Sequence, residues 1–293
     1  MQTYESPPAG FDPQTAEARL LRRHGFPRRP DPANEPHLMR LWQRAFARAP
    51  RLQMVKAELE TDAIMSGRRT KLEFGPNGQA GVVVPPSRSE SVNMVFAEWV
   101  IPQIFPLSDK SFGLVSFWIG ISGILPSGGA SLLQAGVMAI TGTSTTDPAY
   151  HAWTEWYTTK YKTPALKVMN FPVKAGDLLS VMVCAPEPNN GFVSMLNQTT
   201  QLATSVGVPA PGPDITALGQ AQWTVEQGSP ELPEWVPMAF TNCSGNFIPS
   251  NLGFNLSAPG AGAENITDSS GNALTSASIH SATSAFVLWE ASM

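Results

Sequence analysis

Phe117-Trp118-Ile119-Gly120-Ile121-Ser122-Gly123 is the stretch whose reading decides the fold. Side chains of an extended strand point alternately to two faces. Phe117, Ile119 and Ile121 then enter a core, while Trp118, Gly120 and Ser122 share the opposite face. Three further stretches repeat the pattern. In Leu132-Leu133-Gln134-Ala135-Gly136, one face carries Leu132, Gln134 and Gly136. In Ala152-Trp153-Thr154-Glu155-Trp156-Tyr157 it carries Trp153, Glu155 and Tyr157. In Ala221-Gln222-Trp223-Thr224-Val225-Glu226 it carries Gln222, Thr224 and Glu226.

Working outward, apolar-rich runs occur at 80–84, 92–101, 112–121, 131–140, 152–158, 178–185, 192–197, 220–226, 236–243 and 284–291. Pro-, Gly- and Asn-rich turns separate them, and no convincing helix interrupts them. So many short strands make a sandwich or a barrel. Composition agrees: 42% hydrophobic residues suffice for a core, and only 14% are charged. The stretch 257–275 reads as a long surface loop. The expected architecture is all-β from residue 71 to 293, an antiparallel β-sandwich, preceded by a helical segment over 1–70.

That first segment has a different period. Thr15 is a candidate cap for a helix from Ala16 to about His24, stopped by Gly25 and Pro27. Asn34 is the candidate cap of a second, with Pro36 in its first turn. Leu38, Leu41, Trp42, Ala45 and Phe46 form one apolar stripe on it, and Pro50 ends or kinks it. Met1 to Lys71 hold 13 of the 19 Lys and Arg and 8 of the 23 Asp and Glu, a net of +5; the remainder therefore carries −9. A basic segment before an acidic domain predicts an intramolecular contact between 1–70 and the β domain. No nucleic-acid motif is present, and no segment is long and apolar enough to suggest a membrane span. Four scattered histidines and two cysteines, Cys184 and Cys243, show no metal-ligand spacing, so neither a metal nor another cofactor is expected.

The polar face mixes tryptophan rings with an amide and carboxylates, as a substrate cleft does. Taken singly, a strand Gln or Glu is a surface residue and a strand Trp is packing. Taken in order, the motifs WxGIxG, LLQxG, AWxEWY and AxWxxE resemble the glutamic peptidases, or eqolisins, over roughly residues 77–293. Pro7-Pro8-Ala9-Gly10-Phe11-Asp12-Pro13 and Gly25-Phe26-Pro27-Arg28-Arg29-Pro30 resemble leader regions of bacterial members, making 1–70 a candidate pro-segment.

The resemblance implies a bent, lectin-like sandwich of two antiparallel sheets, with its cleft on one concave face. It implies acid-acting, metal-independent endopeptidase activity on a polypeptide substrate. Glu226 would be the general base that activates water, and Gln134 would hold that water and donate to the oxyanion. Glu155 would orient Gln134 or the substrate. Trp118, Trp153 and Tyr157 would line subsites. Three departures concern the cleft: Ser122 stands where many members have Asp, Gln222 where they have Glu, and Asn77-Gly78 where they have Asn-Trp. The alternative is a non-catalytic carbohydrate- or peptide-binding module on the same scaffold. The pair Gln134 and Glu226 discriminates, because hydrolysis requires the two to share one water. A secreted or acidic location would suit the family, although Met1 to Arg19 do not read as a signal peptide.

Overall fold

The computed structural model describes residues 8, 11–24, 26, 28–46, 53–61, 78–87, 89–106, 112–124, 130–142, 148–161 and 163–290. Pro7, Gly25, Pro27, Pro50, Asn77 and the side chain of Ala45 lie outside them.

Two large sheets face each other. The nine-stranded sheet runs β1 (Gln53–Met54), β12 (Leu202–Pro209), β11 (Asn190–Asn197), β10 (Leu178–Glu187), β4 (Ser91–Val100), β15 (Met238–Ile248), β19 (Ser284–Trp289) and β18 (Thr275–Ser281), with β16 (Gly253–Phe254) on β15. The eight-stranded sheet runs β17 (Gly262–Glu264), β3 (Gln79–Val84), β13 (Ala221–Gln227), β6 (Gly113–Ile124), β7 (Ala130–Thr141), β8 (Ala149–Thr158), β9 (Leu166–Val168) and β2 (Leu59–Thr61). A small ribbon pairs β5 (Ile104–Phe105) with β14 (Glu234–Trp235). All pairings are antiparallel except β1 with β12.

Alternation explains the layering. Phe117, Ile119, Leu133, Ala135, Val137, Trp223 and Val225 of one sheet meet Val95, Ala97, Val181, Val183 and Val193 of the other in a single buried cluster. Each Val, Leu, Ile or Phe among them contributes roughly 1.5–3 kcal/mol on leaving water. The residues between them in sequence face outward, so each sheet has a second face to cover. The outer face of the nine-stranded sheet carries Met94, Phe96, Met182, Cys184 and Phe192, and the N-terminal helices cover it. Those helices are α1 (Ala18–Arg23) and α2 (Pro36–Phe46), which bury Leu21, Leu41, Trp42 and Phe46 there, with Leu38 partly buried.

Several local expectations change. The residue preceding α1 is Glu17, and the Thr15 hydroxyl bonds to Asp12 instead of capping. α2 begins at Pro36, and Asn34 donates to Asp31 at 2.5 Å in the preceding turn. Residues 53–61 are not helical but add β1 and β2 at the sheet edges, too short to show a period. The 257–275 loop contains β17, which pairs with β3. The contact between the N-terminal segment and the β domain is largely apolar. Arg28 pairs with Glu35, while Arg29 binds the carbonyls of Pro13 and Ala16 and lies over Trp42, all inside the segment. No described helix is long and apolar enough to cross a membrane.

Candidate active site

The outer face of the eight-stranded sheet carries every side chain singled out from the four motifs. Pairing register sorts them into rows across the strands. One row runs Gln222, Gly120, Gln134, Glu155 on β13, β6, β7 and β8. The next runs Thr224, Trp118, Gly136, Trp153, and the one beyond runs Glu226, Ser116, Met138, His151. On the other side of the first row lie Ser122, Leu132 and Tyr157.

Gly136 explains how two large rings fit in the middle row. A Cβ there would stand 2.1 Å from the Phe117 carbonyl oxygen and 2.7 Å from the Trp118 Cβ. With no side chain between them, Trp118 and Trp153 are both fully buried, in a cluster with Leu114, Leu132, Met138 and Ile140 that Tyr157 flanks. This apolar bed walls the first row. Gln134 is wholly buried and Glu155 is 2% exposed. Gln134 Nε2 donates to Glu155 Oε2 at 2.9 Å, a bond that fixes the amide's rotamer. The Thr154 hydroxyl donates to the Gln134 main-chain carbonyl at 3.1 Å and ties β8 to β7 at that point. The Gln134 Oε1 is buried with no hydrogen-bond partner.

Glu226 is half-buried and accepts a bond from Trp118 Nε1 at 3.0 Å. It shares the face with Gln134 but not the row. The register separates them by two strands and four residues, about 15 Å or more between Cα atoms at ordinary strand spacings. The Gln134 amide is turned toward β8, away from β13. Alternation puts both on one face, and register decides the row of each.

The residue that flanks Gly120 opposite Gln134 is Gln222, 9% exposed, whose Nε2 lies 3.4 Å from Ser122 Oγ. A cavity of about 580 Å³ opens beside Gln222, Ser122 and Leu132, and it also reaches Gln79, Leu218 and Gln220. Of these, Gln79, Leu218 and Gln220 escaped the sequence reading. Gln79 was legible as an outward position of β3, whereas Leu218 and Gln220 precede β13 and carry no period. Among the described residues no group of three or more His, Cys, Asp and Glu is placed to hold a metal ion.

A family model for the Peptidase A4 family matches residues 77–289, which include all four motifs. The chain belongs to the Peptidase A4 family, the glutamic peptidases. Two solved members share its fold. Scytalido-glutamic peptidase, crystallised with a transition state analog inhibitor, aligns at 19% identity and a TM-score of 0.57 over 73% of this chain and 98% of that one. SCP-B, an eqolisin bound to the tripeptide Ala-Ile-His, aligns at 19% identity and 0.55 over the same shares. No curated protein sequence matches the chain. The Peptidase A4 match spans both sheets from β3 to β19 and leaves α1, α2, β1 and β2 outside it.

Proposed function

We propose that this glutamic peptidase hydrolyses polypeptides at the row of Gln134, with Glu155 as the carboxylate partner. The observation that carries the reading is the buried 2.9 Å bond from Gln134 Nε2 to Glu155 Oε2, beside the row of Trp118 and Trp153. An amide nitrogen has two hydrogens. One holds Glu155, which leaves the second for the carbonyl oxygen of the scissile bond. Its bond to the developing oxyanion is worth about 3 kcal/mol of transition-state stabilisation. A carboxylate offers about four lone-pair sites, so Glu155 can hold Gln134 and still receive a proton from the attacking water. It then returns that proton to the leaving amine. In acid this cycle requires Glu155 to be ionised when water is activated.

The base role that the motif order gives to Glu226 has less support, because Glu226 lies two rows from Gln134 with its carboxylate bonded to Trp118. A second reading, peptide binding without hydrolysis, is favoured by one observation. The position across Gly120 from Gln134 is Gln222, an amide that takes up no proton.

Hydrolysis of denatured protein between pH 2 and 7 decides among these. Gln134→Ala and Glu155→Gln are each expected to lower the rate about 100-fold or more, with Glu226→Gln staying near wild type. Loss of activity in Glu226→Gln with Glu155→Gln intact would return the base role to Glu226. A wild-type chain that binds peptides saturably and cleaves none would establish the binding reading.

A further inference from the structure

Beside its apolar stripe, α2 presents a second side. His37, Arg40, Leu41 and Arg44 are spaced by three, one and three residues, so they neighbour one another on the helix. They border a cavity of about 490 Å³ that the β15–β16 hairpin and the turn after it close from opposite. Phe247 and Phe254 stack there at a centroid distance of 4.1 Å. With Leu41 and Leu252 they make an apolar wall, and Leu252, 65% exposed, has most of its surface still to cover.

Two cations line the same cavity. Arg40 makes no ion pair or hydrogen bond to a described residue. Arg44 uses one N–H on Asn242 Oδ1 at 3.3 Å, and a guanidinium has five. Like charges four residues apart on a helix repel, and an anion between them relieves the repulsion. The Ser257 and Thr283 hydroxyls and the Asn255 amide complete the lining. Asn255 Oδ1 already accepts from the Ser257 N–H at 2.9 Å, so its Nδ2 is the group offered to a ligand.

These neighbours select among anions. A phosphate would set a strongly hydrated ion against Phe254 and Leu252, at a cost in desolvation. A fatty acid would fit the arginines and the apolar wall and leave Asn255, Ser257 and Thr283 unused. A peptide that ends in a large apolar residue meets all three. Its carboxylate matches the arginine fork, its side chain covers the wall, and its main-chain amide pairs with the polar groups. Each bond that a peptidase cuts releases such a terminus.

We propose that the cavity between α2 and the β15–β16 hairpin binds the free C-terminus of a peptide with an apolar last residue, its carboxylate held by Arg40 and Arg44. The site lies on the α2 side of the molecule, away from the Gln134 row, and the inference rests on no assignment of the catalytic base. A peptide seated there bridges helix and hairpin, and so strengthens the docking of α2.

Calorimetric titration of the full chain tests it at pH 7, where a peptide carboxylate is ionised. Acetyl-Gly-Phe is expected to bind at least tenfold more tightly as the free acid than as its C-terminal amide. Acetyl-Gly-Ser is expected to bind about tenfold more weakly than acetyl-Gly-Phe. Arg40→Gln should weaken the acid about fivefold or more and leave peptide hydrolysis within about twofold of wild type. Gln134→Ala should bind the acid as the wild type does. Hydrogen exchange reads the site with no substitution at all: the bound acid is expected to slow exchange in α2 and over 253–258. Equal binding of acid and amide, affinity unchanged in Arg40→Gln, exchange slowed only in β7 and β8, or no binding overturns the site. Decanoate binding more tightly than the peptide overturns the peptide as occupant and makes it a lipid carboxylate.

Discussion

Gly136 is the residue on which the tryptophan bed depends. Any side chain there collides with the Phe117 backbone and the root of Trp118, and backbone cannot move aside cheaply. Gly136→Ala is expected to cost about 3 kcal/mol or more, read as a lower urea midpoint. At the same scale, Trp118→Phe keeps the ring bulk and removes the N–H that Glu226 accepts. If Glu226 is no base, Trp118→Phe should leave peptide hydrolysis within about threefold of wild type. A hundredfold loss would instead tie Glu226 to the chemistry through Trp118. Gln134 shows how far single residues could be read. Its type and face were legible from alternation; its partner was not. Glu155 lies opposite it because β7 and β8 pair with Gln134 against Glu155, and nothing in either motif states that offset.

At the scale of elements, α2 is held to the sheet by an apolar stripe and by polar bonds, from Arg44 to Asn242 and from a latch residue to Gly245. Leu41, Trp42 and Phe46 make the stripe, and Trp42→Ala is expected to release the helix at a cost of about 3–5 kcal/mol. Hydrogen exchange should show that loss in α1 and α2 and leave β6 and β7 protected. The latch is His37, whose Nε2–H donates to the Gly245 carbonyl at 3.2 Å across a glycine, Gly253, that gives the ring its space. Burial holds the His37 imidazole below its usual range. The bond to Gly245 opposes this, and Arg40 and Arg44 add to the lowering. A histidine that resists charging in the folded state is protonated first in the unfolded one. Docking stability is therefore fully present above pH ~6.5 and falls as pH drops below it. His37→Gln should flatten that part of the profile, measured as exchange rates in α2 at pH 7 and pH 5. An unchanged slope would remove His37 from the effect. The stripe was plain in the sequence at positions 38, 41, 42 and 46, since a 3.6-residue period needs no partner to be seen. The caps were not, because Thr15 and Asn34 find turn partners in Asp12 and Asp31 before the helices begin.

At the scale of the molecule, the helices and the Gln134 row lie on opposite sides of the two sheets. The helices lie on the outer face of the nine-stranded sheet, and the Gln134 row lies on the outer face of the eight-stranded one. The two cysteines belong to different layers as well: Cys184 lies under the helices and Cys243 lies between the sheets. Both are free, and burial pushes the Cys184 thiol up to about 12 and raises that of Cys243. Reducing agent is expected to leave the melting temperature unchanged, and a thiol reagent to modify both only after unfolding. By itself the sequence determined the strands, the two faces of each and the family, because alternation and motif order are properties of the chain taken locally. Ten apolar runs foretold ten of the longer strands, while the polar edge strand β18 and the small-residue strand β12 went unseen. Only the tertiary structure decided which outward residues meet. Face has a period of two residues and can be counted along the chain. Row depends on the register between strands far apart in sequence, and that register sets Gln134 beside Glu155 and across Gly120 from Gln222, with Glu226 two rows away.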